Sequence, residues 1–318
     1  MLQASLGLPD IYKPIQADLA RFSALLRSEL ASSDVFLQSI HEYLLSISGK
    51  HLRPALAIMS ARLCGEKTEA PIRVALAIEL LHTATLIHDD IIDGSMYRRN
   101  QLSMNARWGT EVSIICGDYL YAKAFSILSG LEDPSIYKMF SSCARTMCEG
   151  EMKQVETRKS LEMNEAAYLE IILKKTASLF QAACAVGGYL ARRSPDLILN
   201  LAEYGKNFGM VFQITDDCMD IVGKEEKLGK KAGLDFEKND PTLPLIYLYR
   251  NLGDSERKAF ENSFEKMRAR AVSEGIVERC LIEAREYAQA ASASLEGFPD
   301  SPCKKSLQEL VDFAIQRV

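Results

Sequence analysis

The sequence predicts an all-α protein. Three observations carry that reading: apolar residues recur at helical spacing along nearly every segment, strand-type alternation is almost absent, and several long segments are rich in Ala and Leu. The period predicts helices over 9–31, 34–48, 53–64, 71–94, 110–130, 134–157, 165–191, 195–222, 241–250, 254–273, 275–296 and 303–317. Breaks fall at Gly49, Gly65 and Gly94, at Asp133-Pro134 and Ser194-Pro195, and across the charged, Gly-rich stretch from Gly223 to Asp240. None of these resembles an interdomain linker. One bundle domain over 1–318 is expected, with 1–7 as a loose lead-in, and 47% apolar residues supply an ample core.

Composition narrows the partners. A formal charge of −5 and a pI near 5.6, with no basic run to offset them, leave no electrostatic footprint for nucleic acid. Eight cysteines are scattered without CxxC pairs or His partners, so they are expected as free, mostly buried thiols and not as a zinc site. No signal-peptide pattern opens the chain. The longest apolar run, Val74 to Ile87, is interrupted by Glu79 and His82, so no stable membrane anchor is expected and the location reads as cytoplasmic.

Two helices carry unusual charge. In LHTATLIHDDIIDGSMYRR, Leu81 to Arg99, Asp89 and Asp93 stand one turn apart beside Asp90 on a largely apolar helix. Like charges at that spacing destabilise a bare helix, so something positive should face them. Oxygen ligands without nearby Cys favour Mg²⁺, which takes one or two carboxylates and fills its other positions with water and phosphate. An acidic cluster at a helix end is the plain alternative. The second helix, NFGMVFQITDDCMDIVG, repeats the spacing with Asp216, Asp217 and Asp220. Six carboxylates at one cavity mouth would be hard to sustain without divalent ions.

The basic complement comes in short motifs: Lys50 and Arg53 from GKHLRP, Arg98 and Arg99 after the first acidic motif, Lys175 with Thr176 from LKKTASLF, and Lys230 from LGKKAGLD. His82 lies two turns before Asp89 on nearly the same face. Alone, each Lys or Arg is usually a solvated surface charge, and His82 on a mostly apolar helix is more often a hydrogen-bonded core residue than a ligand.

Together these motifs, with WGTEVSIICGDYLYAKAF, EGEMKQ and GKKAGLDFEKNDPTLPLI, resemble the trans-isoprenyl diphosphate synthases, the polyprenyl synthetase family, of the medium- and long-chain type. The resemblance implies an all-α bundle around a deep cavity, usually a homodimer, in which an allylic diphosphate is extended by isopentenyl diphosphate. It implies that Asp89, Asp93 and Asp216, with Asp90, Asp217 and Asp220 around them, hold about three Mg²⁺ on the allylic diphosphate. Arg98, Lys175 and Lys230 would add fixed positive charge as that diphosphate leaves. Gly49, Lys50, Arg53, His82 and Arg99 would bind isopentenyl diphosphate, Phe212 would wall the substrate, and Thr176 and Gln213 would turn oxygen dipoles to the carbocation.

One departure stands out. The loop before TLP usually carries Gly-Lys-Pro in this family, whereas here Asn239, Asp240 and Pro241 put an acid where a diphosphate-facing lysine is expected. Lys238 is the local substitute. Otherwise a loss of about 1 kcal/mol in affinity follows.

Product length follows from helical rise, since one isoprene unit covers about one turn, ~5 Å. Short-chain members place aromatics four and five residues before the first Asp. Here those positions are Thr85 and Ala84, and Leu81 a turn deeper is not aromatic either. The gate is open, and Phe140 or Met147 is the expected floor, giving roughly six to ten isoprene units. A geranylgeranyl diphosphate synthase is the alternative within the family. A class I terpene cyclase would not need GKHLRP, His82 and Arg99. A non-catalytic subunit would be expected to have lost part of an acidic motif.

Overall fold

The computed structural model describes residues 7–47, 49–160, 164–223, 233, 236, 240–250, 252 and 263–318. Among them the architecture is helical throughout, apart from one two-stranded hairpin. The helices are α1 (Leu8–Ile11), α2 (Gln16–Glu29), α3 (Val35–Ser46), α4 (Leu52–Leu63), α5 (Ala70–Ile92), α6 (Met104–Ser129) and α7 (Pro134–Ser160). They continue with α8 (Glu165–Ile172), α9 (Ser178–Leu190), α10 (Pro195–Val222), α11 (Leu243–Arg250), α12 (Phe264–Ser273), α13 (Ile276–Ala293) and α14 (Pro302–Gln316).

Local chemistry sets the helix starts. Asp34 accepts from the Leu37 amide at 2.8 Å to open α3, and Ser103 accepts from Ala106 at 3.1 Å to open α6. Pro71, Pro134 and Pro195 sit in first turns, where a missing N–H costs nothing. Three expected helices are broken or shifted, beyond small differences at their ends. The expected 9–31 helix is divided around a short 3₁₀ turn, Lys13–Ile15, because Pro14 disfavours the α conformation of the residue before it. The expected 110–130 helix begins six residues earlier, at Met104, and breaks at Gly109, whose φ of 82° no helix shares. Of the expected 254–273 helix, the described part is α12.

The expected 165–191 helix is interrupted by a π turn at Leu173–Ala177. Gly150 on α7 makes room for it: a Cβ there would sit 2.6 Å from the Lys175 amide nitrogen. The widened turn carries both Lys175 and Thr176.

α5 is the central element. It is long and apolar enough to cross a membrane by composition, yet it is largely buried and packs against α2, α4, α6 and α9. One apolar cluster surrounds it with Ile58, Met59, Leu76, Leu120, Phe140 and Phe208, and a second gathers α11 to α13 on the far end of α10. Seven of the eight cysteines are buried and all are free, as expected.

Close helix crossings depend on glycine. A Cβ on Gly205 of α10 would lie 2.9 Å from backbone atoms of both Phe180 and Gln181 on α9, with no flexible side chain to yield. Gly205→Ala is therefore expected to cost about 2–3 kcal/mol, read as a lowered midpoint in thermal unfolding.

Candidate active site

The two acidic motifs end α5 and α10. Each aspartate of the first motif meets its own cation. Asp90 is buried and accepts both guanidinium hydrogen bonds of Arg98, at 2.8 and 2.6 Å. Asp93 faces Arg158 Nη1 at 2.9 Å, and Asp89 faces Lys175 Nζ at 3.7 Å. This supplies the positive charge that i, i+4 acids on an apolar helix require.

Asp89 also carries the clearest electrostatic signature. Burial pushes its carboxyl up to about 6, Lys175 opposes that shift, and Glu151 and Asp93 reinforce it. Burial alone would pull Lys175 down, but Asp89 and Glu151 more than reverse this and leave it above the ordinary lysine value. Lys175 is held by Glu151 and by Gln154 Oε1 at 3.0 Å.

The second motif is tied to the same π turn. Thr176 Oγ1 donates to Gln213 Oε1 at 2.9 Å, Gln213 Nε2 donates to Asp217 Oδ1 at 2.8 Å, and Tyr168 OH donates to Asp217 Oδ2 at 2.7 Å. Asp217 is thus a buried anchor of the network. Asp220 is buried beside it, with its backbone carbonyl bonded to the Gly233 amide at 3.1 Å. Asp216 is the most open of the three, and its Oδ1 lies 3.6 Å from Arg317. Lys230 lies outside the described residues.

A second basic cluster sits two turns up α5. Arg53 Nη1 donates to His82 Nε2 at 3.0 Å, which requires a neutral imidazole with its proton on Nδ1. Burial, then the charge of Arg53, holds the His82 pKa well below the ordinary value. Arg53 is pulled down by burial to about 10, stacks 4.1 Å from the Phe180 ring, and leaves Nε buried without a hydrogen-bond partner. An unspent buried donor beside a neutral imidazole fits an anion. Lys50, at the rim, is pulled down by desolvation and by Arg317.

The hairpin delivers Arg98 and Arg99. Its strands, β1 (Tyr97–Arg98) and β2 (Gln101–Leu102), are joined by Arg99 and Asn100, both left-handed with φ of 52° and 63°. This sharp turn sends Arg98 back to Asp90. Arg99 Nη1 reaches the Ile47 carbonyl at 2.6 Å, on the side of the Arg53–His82 cluster.

Gly49 is required by that arrangement, because a Cβ there would stand 2.7 Å from Arg99 Cζ. Gly49→Ala is expected to displace the guanidinium and weaken binding of a diphosphate anion at this cluster by about tenfold, the worth of one charge-assisted contact, as measured by calorimetric titration.

Three contributors carried no sequence signal strong enough to single them out. Arg317, next to the C-terminus, donates to Thr215 Oγ1 at 2.7 Å and lies 4.0 Å over the Phe212 ring, so α14 completes the wall that Phe212 begins. Glu151 shares a face of α7 with Gln154 and holds Lys175. Arg158, one further turn along that face, pairs with Asp240.

That last contact revises the reading of the NDP loop. Asp240 is buried and spends both oxygens on Arg158, with Gln154 Nε2 adding a bond at 3.0 Å, so the acid is paired with α7 and is not left as an uncompensated charge. Lys238 lies outside the described residues.

Of the product-length positions, Leu81 and Ala84 on α5 and Phe140 and Met147 on α7 are buried. Thr85 is half-buried, and its hydroxyl donates to the His82 carbonyl at 2.7 Å.

The donor set near Asp89, Asp93 and Asp216 is all carboxylate, with no thiolate or imidazole among them, which suits a hard divalent cation. Among the described residues no three acidic, His or Cys side chains converge on one point.

An all-α bundle whose two DDxxD helices are joined through one lysine–threonine turn defines a prenyltransferase of the diphosphate-ionising kind. The chain belongs to the polyprenyl synthetase family, whose pattern matches residues 34–281. It is 31% identical to the octaprenyl diphosphate synthase of Escherichia coli (strain K12), over 98% of this chain and 99% of that one. Its fold superposes with a TM-score of 0.94 on a polyprenyl synthase from Caulobacter crescentus, crystallised with calcium and isoprenyl diphosphate, at 33% identity and 99% coverage of both chains. A decaprenyl diphosphate synthase from Rhodobacter capsulatus gives 0.91 at 30% identity, covering 98% of this chain and 99% of that one.

Proposed function

We propose that this protein extends an allylic diphosphate, such as farnesyl or geranylgeranyl diphosphate, with isopentenyl diphosphate. It releases diphosphate and gives an all-trans polyprenyl diphosphate of medium or long chain. The single observation that carries this is the π turn: its Lys175 faces Asp89 of one acidic motif while its Thr176 reaches Asp217 of the other through Gln213.

In this reading Asp89, Asp93 and Asp216 hold the allylic diphosphate through about three Mg²⁺, which supply charge neutralisation at the leaving group. Asp90, Asp217 and Asp220 support that shell, Asp90 by fixing Arg98 and Asp217 by fixing Gln213. Arg98 and Lys175, with Lys230, add permanent positive charge, so the allylic C–O bond breaks toward a delocalised cation. In this reading the Thr176 and Gln213 oxygens, hydrogen-bonded to each other at 2.9 Å, turn their dipoles to that cation. Lys50, Arg53, neutral His82 and Arg99 bind the diphosphate of isopentenyl diphosphate, and Gly49 allows Arg99 its place. The new C–C bond forms from the isopentenyl double bond, and the departing diphosphate takes the final proton. No protein base is needed.

Assembly as a homodimer fits the apolar face of α6, where Ile114, Ile115 and Tyr119 are exposed.

The test is incubation with Mg²⁺, farnesyl diphosphate and labelled isopentenyl diphosphate, reading product mass after removal of phosphate. A discrete product of roughly six to ten units is expected, with Phe140 or Met147 as the floor. A 20-carbon stop would replace the long-chain reading with geranylgeranyl synthesis. Diphosphate release without incorporation would overturn it in favour of cyclisation.

A further inference from the structure

Arg158 is unlike the cations that sequence motifs announce, because what aims it comes from across the fold. Its Nη2 donates to Asp240 Oδ2 at 2.6 Å and its Nε to the other oxygen of the same carboxylate, while its Nη1 faces Asp93 at 2.9 Å. A guanidinium gripped along one edge by a buried carboxylate has a fixed direction. The edge turned toward Asp93 is the edge turned toward the acidic site.

We propose that Arg158 is a diphosphate-anchoring cation of the allylic site and that Asp240 is its positioning residue. The proposal rests on the prenyl-transfer reading above. The pair supplies from α7 the positive charge that the family resemblance expects from a loop lysine at position 240.

Two further contacts tie the pair to the rest of the site. Gln154 donates to Asp240 at 3.0 Å and accepts from Lys175 at 3.0 Å, so one amide sets the two cations that face Asp89 and Asp93. The arrangement is parallel: Glu151 backs Lys175 as Asp240 backs Arg158. In both, a carboxylate outside the DDxxD motif offsets the cation's cost of burial, and the cation's remaining donor faces an aspartate of that motif. Were Asp93 to serve as a ligand of a divalent ion, Nη1 would be a donor available to phosphate oxygen, an acceptor that arginine's planar fork suits. A lid-fastening ion pair that ignored the substrate would not need its third contact to be Asp93.

The test uses the full chain and calorimetric binding of inorganic diphosphate in the presence of Mg²⁺. Arg158→Gln is the primary variant, because a carboxamide can still donate to Asp240 while the charge is gone. Its affinity is expected to fall at least tenfold, with isopentenyl diphosphate binding unchanged. Arg158→Gln combined with Asp240→Lys returns a cation from the loop side and is expected to recover most of the loss. Arg158→Gln with Asp240→Asn keeps the hydrogen bonds, removes both charges, avoids a buried lone carboxylate and should bind as weakly as the single variant.

Wild-type affinity in Arg158→Gln, with only its melting temperature lowered, would overturn the proposal and leave a structural ion pair. A lysine double variant no tighter than Arg158→Gln would overturn it equally. Absence of binding to the wild-type chain would remove the prenyl-transfer reading and this proposal together.

Discussion

Asp89→Ala is expected to abolish chain elongation, with turnover falling by roughly 10³-fold or more, as when a principal charge-stabilising group is lost. Binding of isopentenyl diphosphate is expected to stay within about threefold of wild type, because no hydrogen bond to that site is removed. The separation is built into α5. Its Asp89 end meets Lys175 at 3.7 Å, while the cation that meets His82, two turns earlier, is Arg53 at 3.0 Å. Steady-state turnover and calorimetric titration on one preparation check both halves. Equal loss of turnover and isopentenyl diphosphate affinity would mean that the two diphosphate sites are misassigned. Folding is not the obstacle: Asp89 is buried with its pKa pushed up to about 6, so its ionised form is already disfavoured by the fold. Removing such a carboxylate lifts a desolvation cost. It also leaves Lys175 with Glu151 as its carboxylate partner, which keeps the ammonium paired.

What was legible in the sequence was local. Helical period located α3, α4, α5 and α10 because their apolar stripes repeat within one segment, and both DDxxD motifs stand out because i, i+4 acids on an apolar helix require a counter-charge. The partners of those acids were legible only where a motif repeated a familiar spacing. Arg98 was visible as a basic residue, but its clasp on Asp90 depends on a two-residue left-handed turn whose sole sequence cue is Asn100. The π turn under Lys175 left no period of its own, and the glycine that makes room for it, Gly150, is on another helix. Arg158 and Asp240 are 82 positions apart. A single sequence shows the acid at 240 as a loss, and only the fold shows the arginine that accepts it. Arg317 is the same case, since the packing of α14 against α4 and α10 brings the chain end to Asp216.

Thr85→Phe is expected to shorten the product to a few isoprene units with little change in stability, whereas Ala84→Phe should shorten it at a cost of about 1–3 kcal/mol. The distinction comes from where α5 points the two positions. Thr85 is one turn before Asp89, on the same face, and half-buried, so a ring there enters the space below the acidic motif. Ala84 is fully buried and one turn before His88, whose ring lies so close to α6 that a Cβ on Gly117 would stand 2.6 Å from its Cδ2. A phenylalanine at 84 must therefore part α5 from α6 to fit. Because a growing chain advances about one helical turn, ~5 Å, per unit, a ring one turn below Asp89 blocks the path early. Phe140 and Met147 on α7 come into play only for longer chains. Mass spectrometry of dephosphorylated products, alongside thermal unfolding of both variants, separates the cases. A Thr85→Phe enzyme with full-length product would place the growing chain on another face of α5 and remove Phe140 and Met147 as its floor. Shortening in both variants, with the stability loss confined to Ala84→Phe, would fix the tunnel on the Asp89 face.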